Sequence, residues 1–338
     1  MSRGSSLRRR DVIALLGSAL LAYPRAGRAQ QSAAVPRVGC LTVAPLASPV
    51  VQQLLGAFRD GLRGLGHADG RSIVFEYRSA EGKIERLREL AADLVRLKVD
   101  LIAAFSNAAT RAARQVTSTI PIVCFNLGDP VTEGLVASLS RPGGNITGIT
   151  VFAPELVPKG LSLLKEAVPK ASRIAALWAP GSMTESSATD MLQRAEAAAN
   201  TFGIEIVLAR FREVDELDGA FVTMTKARSE ALLVLPSPLS NTEGRRIATL
   251  AARHRLPSMS WNRYFVEAGG LMAYGSSLVE SWRRGAVYAD RILKGADPGE
   301  LPIEQPTTFE LVINLKTAKL LGLNILPSLL TRADQVIE

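Results

Sequence analysis

From Pro36 onward, short apolar runs alternate with longer amphipathic ones, and this alternation leaves few folds open to the chain. Arg37 to Val43 reads as a strand. Val51 to Leu65 carries Leu54, Leu55, Phe58 and Leu62 at helical spacing and stops at Gly66. Ser72 to Arg78 alternates like a strand, Lys83 to Leu97 is helical, and Val99 to Phe105 is a strand again. Ser106-Asn107 then opens a helix through Val116, before a further strand after Ile120. Each crossover is long enough to hold a helix, so the spacing predicts a parallel α/β sheet.

A second series of the same kind follows. Glu155 to Val168 is helical, Arg173 to Ala179 a strand, and Glu185 to Phe202 an alanine-rich helix stopped by Gly203. Ile204 to Arg210, Glu213 to Ala227 and Ala231 to Leu235 continue as strand, helix and strand. Asn241 to His254 is helical and Pro257 to Trp261 a short strand. The remainder is smaller: an extended run at Leu271 to Gly275, a helix at Leu278 to Leu293, a strand at Phe309 to Asn314 and a short helix at Lys316 to Leu321. That remainder is too small for a third domain. Two similar lobes, with the chain crossing between them more than once, is the economical arrangement.

The stretch from Ile120 to Thr150 packs the most chemistry into one unit. A buried strand comes first, and Asn126 to Pro130 follows as turn chemistry. Asp129 before Pro130 suits an N-cap with proline in the first turn, so a short helix is expected, ending at Arg141-Pro142-Gly143-Gly144. Asn145 to Thr150 then reads as extended. Loops beyond the carboxyl ends of parallel strands are where open α/β sheets bind ligands. An ordinary βα unit of a large core fits the same residues.

The chain has 338 residues, 47% of them hydrophobic and 21% charged, which supports a packed core and excludes disorder as its main state. Aromatic residues at 5% are too few for a base-stacking surface. The net charge of +8 is dominated by the first segment. Residues 1–29 read as an export signal: Arg3, Arg8, Arg9 and Arg10, an apolar stretch from Val12 to Ala22, and the small-x-small site Gly27-Arg28-Ala29. Without it 34 basic and 31 acidic residues remain, a net charge of +3 that gives no reason to expect a nucleic-acid partner. Arg9-Arg10-Asp11-Val12-Ile13 resembles a twin-arginine signal, and a Sec signal with extra arginines fits as well. The expected location is the periplasm. Cys40 and Cys124 both sit in apolar strand-like runs, so buried free thiols are expected rather than a disulfide.

Catalytic patterns are sparse. His67 lies in a glycine-flanked turn and His254 late in a helix, and neither has a metal-ligand partner at useful spacing. There is no G-x-S-x-G elbow and no P-loop. Gly61 to Gly66 close a helix and do not open one after a strand, so they are no dinucleotide fingerprint. No enzyme activity, metal or cofactor is expected.

Taken in order, several segments resemble the substrate-binding proteins of ABC transporters of the tryptophan/tyrosine-binding type, within the type I periplasmic-binding-protein fold. They are Gly61-Leu62-Arg63 to Tyr77-Arg78, Ile120-Pro121-Ile122-Val123, Asp129-Pro130-Val131, Arg141-Pro142-Gly143-Gly144-Asn145-Ile146-Thr147-Gly148, Phe265-Val266-Glu267-Ala268-Gly269-Gly270-Leu271-Met272, and Phe309 to Ala318. The resemblance runs over essentially the whole chain, including the leader from Arg8-Arg9-Arg10 to Ala29-Gln30-Gln31. It implies two Rossmann-like lobes with parallel central sheets, joined by a hinge of three crossing segments and closing on a small ligand. On that pattern residues 36–145 plus 270–296 form lobe one and residues 146–269 plus 297–338 lobe two, with crossings near Thr147, Gly270 and Pro298. The loaded protein, a monomer, would dock on a membrane permease. A ligand-sensing subunit for a membrane receptor has the same fold, and an exported hydrolase is the enzyme alternative.

The same resemblance selects the candidate ligand contacts. In lobe one they are Thr42, Ser106, Asn107, Asn126 and Asp129, and in lobe two Ser182, Ser237, Trp261 and Arg263. Tyr274 and Glu267, near the second crossing, serve either hinge or cleft. Ser106 and Asn107 stand at a helix start, whose free N–H groups suit a carboxylate and equally make an ordinary N-cap. Arg263 suits bidentate pairing with a carboxylate or a place on the surface. Trp261 suits stacking on a ligand ring or core packing. Asp129 suits a helix cap or a ligand contact. Members of this family often carry an aspartate where this chain has Ser237, and that aspartate can pair with a ligand ammonium. Serine supplies no charge, so organic or aromatic carboxylates are expected to outrank amino acids, unless another carboxylate such as Glu267 replaces it. Cleavage after Ala29 is the first testable expectation: mass spectrometry of the exported protein should find Gln30, or its cyclised form, at the amino terminus, and an intact Met1 would contradict it.

Overall fold

The computed structural model describes residues 35–150, 156–180 and 184–338. Residues 1–29, read as an export signal, and Ser182 lie outside the described residues. The first sheet has five strands, all parallel: β1 (Arg37–Thr42), β2 (Val74–Ser79), β3 (Leu101–Ala104), β4 (Ile122–Leu127) and β5 (Ile146–Thr150), in the order β2-β1-β3-β4-β5. Helices α1 (Pro49–Gly64), α2 (Leu87–Arg96) and α3 (Asn107–Val116) make its crossovers. Ile122 to Phe125 are all fully buried, as a strand covered on both faces requires.

The second sheet is built on β6 (Arg173–Trp178), β7 (Glu205–Arg210), β8 (Ala231–Val234), β9 (Ser258–Ser260), β10 (Met272–Gly275), β11 (Glu310–Asn314) and β12 (Gln335–Ile337). Its order is β12-β11-β10-β9-β8-β6-β7, and only the β10–β11 pair is antiparallel. Helices α4 (Leu156–Ala167), α5 (Glu185–Thr201), α6 (Leu217–Lys226), α7 (Pro238–Thr242) and α8 (Gly244–Arg253) follow in chain order, with the short α9 (Arg263–Glu267) after β9.

The chain then returns to the first sheet. Helix α10 (Leu278–Leu293) packs on α1 so closely that a Cβ added at Gly61 would sit 2.7 Å from the Cβ of Ala286. A Cβ at Gly285 would fall 1.8 Å from the Phe125 ring, so glycine is what lets β4 and α10 meet. The return path runs along β5: Thr147 Oγ1 donates to Leu301 O at 2.7 Å, Tyr288 Oη to Pro302 O at 2.6 Å, and Arg284 holds Glu304 at 2.8 and 2.7 Å. Helices α11 (Leu315–Leu320) and α12 (Pro327–Arg332) close the chain around β11 and β12.

Several expectations shift. Ile146–Thr150 pairs with β4, so it belongs to the first sheet, past the boundary expected at residue 145. Met272–Gly275 pairs with β9 and β11, so it belongs to the second sheet and not to the first. The crossings accordingly fall after Thr150, between Gly275 and Leu278, and after Glu304, and not at Thr147, Gly270 and Pro298. The helix expected after Pro130 is a single turn: Asp129 Oδ1 caps Val131 and Thr132, and Gly134 at φ +65 stops propagation. The helix read from Asn241 to His254 is split, because the Ser237 capping box starts α7 early at Pro238. Helix α12 and strand β12 were not expected. Cys40 and Cys124 are free and buried, as read from the sequence, and burial pushes both thiol pKa values up. Among the described residues no helix is long and apolar enough to cross a membrane.

The turn carrying His67 is pinned to α10 by Asp290, which accepts from His67 Nε2 at 2.8 Å and lies 2.8 Å from Lys294 Nζ. Burial alone would raise the Asp290 pKa, but the hydrogen bonds from Lys294 and His67 outweigh it and hold the carboxyl below the usual aspartate range. A folded-state pKa that is depressed adds stability above the unfolded value, and that stability is lost as pH falls through the folded one. Asp290→Asn should therefore lower stability at pH 7 by about 1–2 kcal/mol. It should also flatten the acid limb below about pH 4, where an unfolded aspartate begins to protonate; urea titrations across pH would check this.

Candidate functional site

A cleft of about 120 Å³ opens where the carboxyl-end loops of the two sheets face each other, and residues of both lobes line it. Seven of the sequence-derived candidates are there: Thr42, Ser106, Asn107, Asn126 and Asp129 from the first lobe, Ser237 and Trp261 from the second. Most are held by bonds of their own. Thr42 Oγ1 accepts from Ala44 N at 3.2 Å. Ser106 caps α3 by accepting from Ala109 N at 3.1 Å. Asn107 Oδ1 accepts from Gly128 N at 3.0 Å, which ties the loop after β3 to the loop after β4. The first-turn amides of Asn107 and Ala108 have no acceptor within the helix, and Asn107 lines the cleft.

Asn126 adopts φ +55 and accepts from Trp282 Nε1 at 3.2 Å. That bond orients an aromatic wall. Trp282 stacks on Phe105 with centroids 4.0 Å apart and 9° between planes, and Phe125 backs both rings. Asp129 spends both carboxylate oxygens on Val131, Thr132 and the Thr132 hydroxyl at 2.8–3.1 Å. Ser237 is engaged in its capping box with Ser240, so its hydroxyl builds the start of α7.

Three candidates are placed elsewhere. Arg263 lies on the second lobe away from the cleft, where its guanidinium meets Glu267 at 2.9 Å, Glu310 at 3.1 Å and Gln335. A guanidinium with that many partners is not available to a ligand carboxylate. Glu267 is taken up by the same cluster and does not line the cleft. Tyr274 stacks on Phe309 at 5.8 Å and packs against the core of the second lobe.

Other lining residues were not foreseen. Glu133, Asp190, Met191, Asn241, Thr242 and Trp282 face the cleft from helices or turns. Helical periodicity showed which residues of these segments turn inward, but not which partner they meet. Only the return of α10 to the first sheet puts Trp282 in the wall. The charge balance of the wall follows from the full set. Asp129, Glu133 and Asp190 line it, and among the described residues none of the lining residues is Lys or Arg. Ser237 brings no carboxylate to the wall, and the three that line it come from other elements, Glu133 paired with Arg111 and Asp190 with Arg194; Arg263, offered as a carboxylate partner, is not in the wall.

Comparison with known proteins agrees with this geometry. The sequence pattern of the family described as ABC transporter substrate binding protein matches residues 42–337. A tyrosine-binding protein from Clostridioides difficile (strain R20291) is 26% identical over 278 residues, covering 81% of this chain and 78% of that protein. A conserved domain protein from Vibrio cholerae superposes with a TM-score of 0.83 at 25% identity, over 89% of this chain and 99% of that one. A Streptococcus pneumonia ABC domain in complex with L-Trp superposes with a TM-score of 0.82 at 24% identity, again over 89% and 99%. The two-lobed fold is that of the type I periplasmic binding proteins.

One contact joins the lobes through the cleft wall. The Glu133 side chain is fully buried, pairs with Arg111 on α3 and accepts from Thr184 N at 3.0 Å. Thr184 is the N-cap of α5 on the second lobe, so the carboxylate also meets the positive end of that helix. Removing the carboxylate leaves a partly buried guanidinium and an amide without an acceptor. Glu133→Ala should therefore destabilise the contact between the lobes by about 1–3 kcal/mol, seen as a larger radius of gyration in small-angle scattering and weaker ligand binding. An unchanged radius and affinity would deny Glu133 that role.

Proposed function

Because the chain belongs to the ABC transporter substrate-binding protein family, we propose that it is exported, captures a small amphipathic molecule between its lobes as a monomer, and passes it to a membrane permease. The Arg9-Arg10 pair favours the twin-arginine route for the export step. The observation that carries the ligand class is the cleft wall: stacked Phe105 and Trp282 on one side, three carboxylates, and no Lys or Arg among the described lining residues. Such a wall suits a flat apolar body joined to a cationic head. The amides at the start of α3 suit a carboxylate beside it. An aromatic amino acid has all three parts. The ligands of two relatives, tyrosine for one and L-Trp for another, belong to the same chemical class.

The state of the wall's carboxylates supports binding without turnover. Asp129 is a turn cap, Glu133 is paired with Arg111, and Asp190 with Arg194. The carboxylates act as fixed charge.

Calorimetric titration with L-tryptophan, L-tyrosine and their deaminated acids is the test. The amino acids should bind, with loss of the amino group weakening binding roughly tenfold or more, as expected when a buried charge loses its partner. At 100 times Kd the bound ligand should stabilise the fold by about 2.7 kcal/mol. Equal affinity for the deaminated acids would overturn the amino-acid reading, and a product in the mass spectrum would overturn the binding reading.

A further inference from the structure

We propose that Trp261 and Asn241 are the residues with which the second lobe reads the ligand's polar groups, Trp261 donating through Nε1 and Asn241 accepting through Oδ1. This deepens the function proposed above and rests on it. Both atoms are buried and without a hydrogen-bond partner, and both residues line the cleft. Among the described residues three other buried side-chain atoms lack partners, on Tyr77, Ser229 and Tyr264, and none of those residues lines the cleft.

Unpaired buried polar atoms are rare in folded proteins, because burying a donor or acceptor without a partner is costly. The other polar groups of this wall show what satisfied ones look like. Ser106, Asn107, Asn126 and Ser237 are each engaged by a neighbouring backbone or side chain. Trp261 is only 8% exposed and belongs to the apolar cluster of the first lobe, although the second lobe carries it. Closing the lobes is therefore what strips its N–H of water. A ligand that places an acceptor against Trp261 and a donor against Asn241 removes the penalty; one that lacks either leaves it standing. The role is hydrogen-bond reading, distinct from the ring stacking that the sequence suggests for Trp261. In the wall, stacking is supplied by Phe105 and Trp282. Selectivity of this kind exceeds what an apolar pocket achieves, since the wrong ligand leaves the site's own polar atoms unpaired.

The probes are L-tryptophan and L-tyrosine. Asn241→Leu keeps the size of the side chain and removes the acceptor, and Asn241→Asp restores it. Incorporating 3-benzothienylalanine at position 261 keeps the bicyclic ring and replaces the N–H by sulfur. Asn241→Leu and the position-261 exchange should each weaken binding roughly tenfold to a hundredfold. Both should melt at or above the unsubstituted protein without ligand, because each removes an unpaired buried atom. The Trp261 indole N–H resonance should shift on titration with the probe. Unchanged affinity, with an unmoved indole resonance, overturns this inference and leaves the proposed function intact. A lower melting temperature of the ligand-free variants overturns it too, since the atoms would then be holding the fold. Failure of the unsubstituted protein to bind either probe, or any other aromatic amino acid, overturns the proposed function and this inference together.

Discussion

All five strands of the first sheet run the same way, so their carboxyl ends open at one edge, and the site depends on that constraint. Parallel pairing needs a long crossover, here a helix between all but β4 and β5, and each of those helices begins beside the edge where the strands end. Ser106 and Asn107 are at the cleft because α3 starts there, and Asp129 because β4 ends there. The second sheet repeats the arrangement up to β9 and supplies Ser237 and Trp261 by the same rule. Its departure, the antiparallel β10–β11 pair, is where the chain has left for the first lobe and come back. A strand entered from the other lobe is not bound to a right-handed helical crossover, so its direction is free to reverse.

That detour also sets the chemistry. Helix α10 closes one face of the first sheet, and the absence of side chains at Gly61 and Gly285 lets it approach α1 and β4. The close approach brings Trp282 against Phe105 and within reach of Asn126. Asn126 holds a left-handed backbone conformation that costs a non-glycine residue about 1 kcal/mol, and its side chain recovers some of that through the bond from the indole. A conformational exception at the end of β4 thus fixes the orientation of one aromatic wall.

The sequence made the fold legible because the period changes, from two to about three and a half and back, are frequent and sharp between Pro36 and Asn314. Seven candidate contacts could be read from it because a loop after a parallel strand must face the cleft, whatever its residues do there. The rest needed long-range partners. Arg263 follows a strand as the rule requires, yet α9 turns it toward Glu267 and Glu310, and nothing in its local sequence announces the second of these. Nothing in the local sequence singles out Glu133, and only Arg111 and Thr184 make it a buried link between lobes. Strand membership at Ile146 and Met272 was misplaced for a related reason. A hinge strand is paired by what lies across from it, and hydropathy is silent about that.

Closure and selection are coupled in this wall by two separate physical terms. One is electrostatic: Asp190 from the second lobe shares the cleft with Asp129 and Glu133 from the first, Arg194 and Arg111 pairing two of the three carboxylates. The other is desolvation of polar atoms on Trp261 and Asn241. Opposing both are the Glu133–Thr184 bond and the apolar burial of Trp261. With terms on both sides, a ligand shifts the lobes only by its differential affinity for their arrangements. A cationic head complements the carboxylates of the first term, and matched polar groups cancel the second. A molecule with an apolar body alone does neither, so an aromatic wall can be permissive without the site being so.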